Sequence, residues 1–184
     1  IKQDYKINVI LKNAHIGLYK NYNFEKINFL LNVKNNILDF KDISFRTNKI
    51  DFFSDNLKIT PNKKNFLFEG KIQNKAFTLN NDLLKLMNLN LKNLNFFNIN
   101  FISKNKFSFN INDNFQLKNL IIKSDIQIIE SKYKKPPSLS KHLPEVNDVI
   151  YFKDHKLKTE YKKNNFIIEG FGKVKLKKKF NKIE

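Results

Sequence analysis

Phe97-Asn98-Ile99-Asn100-Phe101 and, after five intervening residues, Phe107-Ser108-Phe109-Asn110-Ile111 place apolar and polar side chains in strict alternation. Successive side chains on a strand point to opposite faces, so each stretch reads as a strand that is apolar on one face and wet on the other. Phe115 and Leu117 continue the pattern around Gln116, and Ile126 and Ile128 around Gln127. One wet face and one apolar face are the mark of antiparallel sheet.

The same period of two recurs on both sides of this stretch. Upstream it appears in Ile7, Val9, Leu11; Ile27, Phe29, Leu31, Val33; Ile43, Phe45; Ile50, Phe52; Leu57, Ile59; and Phe66, Phe68. Downstream it appears in Leu157, Thr159, Tyr161; Phe166, Ile168; and Val174, Leu176. About a dozen strands follow from this pattern. The chain has only four glycines and four prolines, so asparagine must make the turns, because its short amide tolerates left-handed backbone. Asn35-Asn36, Lys64-Asn65, Asp113-Asn114 and Asn164-Asn165 fall between strand segments, which predicts short hairpins and an up-and-down meander.

Two pieces interrupt the strands. Asn81-Asp82-Leu83-Leu84-Lys85-Leu86-Met87 has the spacing of a short amphipathic helix behind an Asp or Asn cap, near 82–88. From Tyr133 to Pro144, prolines enforce an extended stretch in which Ser138 or Ser140 could cap a single turn that Pro144 ends. The organisation expected is a first strand group over 1–132, a Pro-containing linker over 133–147, and a second strand group over 148–184 that continues the same sheet. An internal echo runs across this division. Asp55 to Gly70 resembles Asp154 to Gly170, with two Phe-x-x-Glu-Gly blocks offset by 100 residues, as expected of a repeated β unit.

The net charge is +18, and of 35 basic residues only Arg46 is an arginine. Such a field attracts any polyanion, RNA or anionic membrane alike. The planar fork that reads phosphate and guanine is nearly absent. A basic, ribosomal-type nucleic-acid-binding protein is therefore the alternative functional reading. Lys173, Lys175 and Lys177 share one face of a strand, either as a solvated surface or as contacts to anionic head groups or RNA phosphates. With no cysteine there is no disulfide framework and no thiolate metal site. His15, His142 and His155 lack the spacing of metal ligands. No Gly-rich phosphate loop or nucleophile elbow is present, so the chain reads as a non-enzyme without a cofactor. No apolar run approaches the ~20 residues of a spanning helix.

The apolar face allows two architectures. Two such faces packed together make a closed sandwich, which packing economy favours; one curved sheet makes a trough for an apolar ligand. The stretch from Tyr133 to Leu176 resembles the AsmA-like family of the YhdP and TamB type. The residues that carry the likeness are Leu143-Pro144-Glu145-Val146-Asn147-Asp148-Val149-Ile150, Asp154 to Lys158, and Asn165 to Val174. The block from Ile50 to Gly70 is similar in style. The resemblance implies an internal segment of a bridge-like envelope protein: a mainly β, extended and curved antiparallel meander with an apolar concave groove and one or two short helices. It implies a periplasmic location, anchored in the inner membrane through a region outside this chain. It further implies phospholipid transport between inner and outer membrane, with no specific nucleic acid and with envelope proteins as further partners. The groove would be lined by Phe97, Ile99, Phe101, Phe107, Phe109, Ile111, Phe115, Leu117, Ile126 and Ile128.

Overall fold

A computed structural model of the chain describes residues 6–18, 22–79, 95–177 and 179–183. The helix expected near 82–88 lies outside the described residues. The fold is mainly β: the described residues form eleven strands in one sheet, with one short helix. The strands are β1 (Lys6–Leu18), β2 (Tyr22–Lys34), β3 (Ile37–Thr47), β4 (Ile50–Asn62), β5 (Asn65–Asn74) and β6 (Phe77–Leu79). They continue with β7 (Phe96–Asn112), β8 (Leu117–Lys134), β9 (Val149–Lys162), β10 (Asn165–Lys175) and β11 (Phe180–Ile183), and helix α1 (Pro137–His142) lies between β8 and β9. Neighbours in sequence are neighbours in the sheet from β1 to β11, except that β5 pairs with β7 and the short β6 pairs with β7 alongside it. This is the antiparallel meander that the alternation predicts.

Left-handed backbone closes the hairpins. Asn35 and Asn36, Asn48 and Lys49, and Lys163 and Asn164 all have φ between 49° and 66°. Paired left-handed residues give the mirror-image turn whose twist matches that of the flanking strands. Two turns fall one residue earlier than expected, on Lys63-Lys64 and Lys163-Asn164, so Asn65 and Asn165 open strands. No glycine has positive φ.

The chain divides into two compact units. The first comprises residues up to Lys75 with Lys104–Ser124 and Thr159–Ile167; the second comprises Ala76–Ser103, Asp125–Lys158 and Ile168–Glu184. In the first unit the apolar residues change parity along four strands: Leu11 to Ala14, Phe24 to Ile27, Phe40 to Ile43, and Phe52 to Leu57. The ladder is irregular at those levels in the β1–β2, β2–β3 and β4–β5 pairings. Asn13, Lys26 and Asp42 there have φ near 50°. An extra residue reverses which face the following side chains occupy, so each bulge returns the apolar set to its original face. The side chain of Asn28 knits three strands together at this line. Its Oδ1 accepts from Asn13 N at 2.9 Å, and its Nδ2 donates to Lys26 O at 2.7 Å and Ser44 Oγ at 3.1 Å.

The second unit has a small core of Val146, Ile150 and Val174, with Tyr133, Phe152 and Leu176 packed against it. The segment joining β8 to β9 supplies part of this core. Pro137 opens α1, and no serine caps it; Ser140 Oγ instead donates to Pro136 O at 3.3 Å. Lys135 is buried, and its ammonium donates to the carbonyls of Val146 and of Leu143, the latter at 3.1 Å. The loop after α1 is thus pinned from beneath by a charged hydrogen bond, one of the stronger kinds.

Glycine in this sheet provides close approach. A Cβ on Gly70 would lie 2.9 Å from Phe107 Cζ and 3.2 Å from both Asn56 O and Leu57 Cδ1. At the echoed position, a Cβ on Gly170 would collide with Leu157 Cδ2 and Lys156 O. The 100-residue echo is therefore structural: in both hairpins a leucine side chain lies over the glycine of the facing strand. Gly70→Val should lower stability to urea by about 1–3 kcal/mol through overpacking. Gly17→Val, whose Cβ would meet only Asn23 Oδ1 at 3.5 Å, should be neutral or stabilising by up to about 1 kcal/mol. Equal stability of the two variants would contradict the close-approach reading.

Candidate functional site

Pairing register decides where the apolar residues go. In the first unit, Ile7 pairs with Val33, Val33 with Leu38, Leu38 with Ile59, Ile59 with Phe68, and Phe68 with Phe109. A second row runs beside it through Val9, Leu31, Phe40, Leu57, Gly70 and Phe107. Directly paired residues share a face, so the two rows form one apolar strip across six strands, roughly 24 Å at about 4.8 Å per strand. At Gly70, where the row has no side chain, the ring of Phe107 lies over the gap. Pro61, Phe66 and Ile111 add a short third row.

Aromatic contacts tie the strip together. Phe68 and Phe109 stack at 4.9 Å, Phe107 and Phe109 at 5.9 Å, and Phe29 meets Phe40 edge-on at 5.2 Å. The strip is nevertheless only half-buried. Among the described residues of this unit, Ile50 is the one buried hydrophobic, while Ile7 and Phe66 remain 50% and 45% exposed. All described strands belong to a single sheet. The sandwich that packing economy favours requires two.

The opposite face carries a polar row, although Ile10, Leu30 and Leu67 also lie on it. Its row of direct partners reads Asn8, Asn32, Asp39, Lys58, Glu69 and Ser108, so acidic and basic side chains alternate across the middle strands. Arg46 sits opposite Asp51 beside the β3–β4 turn and grips it with two bonds, Nε to Oδ1 at 2.6 Å and Nη2 to Oδ2 at 2.9 Å. That hydrogen bonding lowers the Asp51 carboxyl and raises the Arg46 guanidinium from their ordinary values. The single arginine is thus committed to a hairpin clamp.

The expected site residues fall in several places. Phe107, Phe109 and Ile111 lie on the strip. Ile99 and Phe101 pair with Leu79 and Phe77 in the second unit, where Ile126 and Ile128 are half-buried on β8. Phe97 is half-buried beside Asn98, which has left-handed backbone (φ 51°) within β7. The adjacent Phe96, omitted by the alternation, meets Tyr133 at 5.0 Å and Phe152 at 5.4 Å. Phe115 is 91% exposed in the β7–β8 turn with φ 56°, and Leu117 is 54% exposed at the start of β8. The residues on β1 to β5 that complete the strip lie outside the expected set. Parity on each strand marked them, but their register was not readable until the bulges were located.

Among the lysines, Lys173 pairs with Asp154 at 3.3 Å, Lys175 lies 5.9 Å over the Phe180 ring, and Lys177 is exposed. Among the described residues no three His, Asp or Glu side chains could hold a metal ion, and no helix is long and apolar enough to cross a membrane. No protein-family model matches the chain, and neither does a curated protein nor a solved structure.

His155 has a perturbed environment. Its Nε2–H donates to Lys173 O at 3.1 Å, and its ring meets Phe152 edge-on at 5.4 Å. Burial lowers its pKa from the usual 6.5, and the neighbouring Asp154 opposes this only in part. A histidine depressed in the folded state binds fewer protons than the unfolded chain does, so its contribution is complete above pH 6.5 and is lost as pH falls through the folded value. An NMR titration of the His155 ring should give a midpoint below 6.5, and His155→Gln should flatten the acid-side slope of stability. A midpoint at or above 6.5 would contradict this environment.

Proposed function

We propose that this chain is a segment of a bridge-like envelope protein that holds phospholipid acyl chains against the apolar strip and supports their movement between inner and outer membrane. The observation that carries the reading is the register: two apolar rows stay on one face through six strands, with a polar row behind them. Each methylene taken from water contributes about 0.8 kcal/mol, and a continuous strip lets a chain shift along it without meeting polar groups. The strip is the wall of the apolar concave groove in this reading. The protein works in the periplasm, anchored in the inner membrane by a region outside this chain, with other envelope proteins at its ends. It needs no catalysis and no cofactor. On the second unit, Lys173, Lys175 and Lys177 are the proposed contacts to anionic head groups.

The competing nucleic-acid reading draws on the charge alone. The lone arginine is engaged by Asp51 and offers no free fork to phosphate or guanine.

Lipid extraction and native mass spectrometry of the purified chain test the proposal. The wild type should carry phospholipid. Phe109→Asp, which puts a carboxylate in the strip, should lower bound lipid about tenfold or more, equivalent to at least ~1.4 kcal/mol. Asn110→Asp, on the other face of the same strand, should leave it unchanged. A lipid-free wild type, or equal losses in the two variants, would overturn the proposal.

A further inference from the structure

We infer that a second and separate site, in the second unit, takes a single acyl chain with an anionic head, the chemistry of a long-chain fatty acid. A depression of about 780 Å³ lies between the loop after α1 and the segment following β10. That volume is within the range of about 300–1,000 Å³ usual for small-molecule sites. Leu143, Val146 and Leu176 supply apolar lining, and Lys177 and Lys179 stand on the same lining with Glu145 as the one carboxylate. Neither Lys177 nor Lys179 makes an ion pair with a described carboxylate. Two lysines against one carboxylate, beside three apolar side chains, match a ligand that is greasy along its length and negative at one end.

The walls are fastened in place. Lys135 holds the carbonyls of Leu143 and Val146 from beneath, and Val146 N donates to Leu143 O at 3.2 Å. On the other side, Asn147 N donates to Leu176 O at 3.0 Å and Asn147 Nδ2 donates to Lys177 O at 3.1 Å. Loop and strand end are thus locked to each other, so the ligand does not bear the cost of ordering them. Leu143, 40% exposed, is the apolar side chain left uncovered for it. This site shares Lys177 with the head-group contacts of the transport reading but none of the strip's residues. The strip lies in the other unit and can fail its own test independently.

The experiment titrates the full chain with oleate, kept below its aggregation concentration, and follows the amide resonances of Asn147 and Lys177. Saturable shifts at both should appear with oleate and not with acetate, which has the charge but no chain. Oleyl alcohol, which has the chain but no charge, should bind about tenfold more weakly. Lys177→Glu combined with Lys179→Glu should weaken oleate about tenfold and leave oleyl alcohol unchanged, a contrast that a misfolded variant could not produce. Phe109→Asp, on the strip, should leave the oleate shifts intact. The site is overturned if oleate leaves these amides unmoved, if the charge-reversed variant binds oleate as well as wild type, or if Phe109→Asp abolishes the shifts.

Discussion

Register is the constraint on which everything else in this protein depends. A strand has a side-chain period of two, so a slip of one residue would move its whole apolar set to the wet side. Two features hold the register. Left-handed residue pairs such as Asn35 with Asn36 close hairpins in only two residues, and the bulges at Asn13, Lys26 and Asp42 occur at matching levels on adjacent strands. Asn28 bonds across all three of those strands. The bulges extend the apolar face past the parity change, where Phe24, Phe45 and Phe52 make their own chain of ring contacts at 5.5 and 5.2 Å.

The meander itself was legible in the residues, because alternation and asparagine-rich turns are local signals. What lay beyond them was the length of the strands. Ile50-Phe52 and Leu57-Ile59 read as separate strands because their parity differs, yet both belong to β4, which absorbs the change at a ladder irregularity near Ser54. Phe97-Phe101 and Phe107-Ile111 likewise join in the 17-residue β7, since the intervening residues stay extended and Ser103 is buried. Two turns settled on Lys63 and Lys163 although asparagine was available next to each, because the pairing on both sides of a hairpin sets the turn position. The role of Lys135 was hidden for a different reason. In a chain this rich in lysine, no local pattern distinguishes Lys135, buried under a loop, from its lysine neighbours.

Charge and greasiness are assigned to different jobs. The polar face alternates Asp39, Lys58 and Glu69 across neighbouring strands, an arrangement that keeps a basic protein from repelling itself at every rung. Exposed pairs of this kind contribute little stability, typically 0–1 kcal/mol, so the driving force must come from apolar burial. Yet the first unit buries few of its large side chains completely. Its strip leaves large apolar side chains such as Ile7 and Phe66 uncovered, and in the proposed function acyl chains cover them. In both echoed hairpins the glycine lets a leucine lie close against the facing strand.

The most direct measurement is a photo-crosslinking scan along one strand of the strip. A photoreactive residue placed in turn at positions 107 to 111, with the chain exposed to phospholipid vesicles, reports which side chains touch acyl chains. The account predicts labelling that alternates: strong at 107, 109 and 111, and weak at 108 and 110. Uniform labelling at all five positions, or none at any, would contradict it.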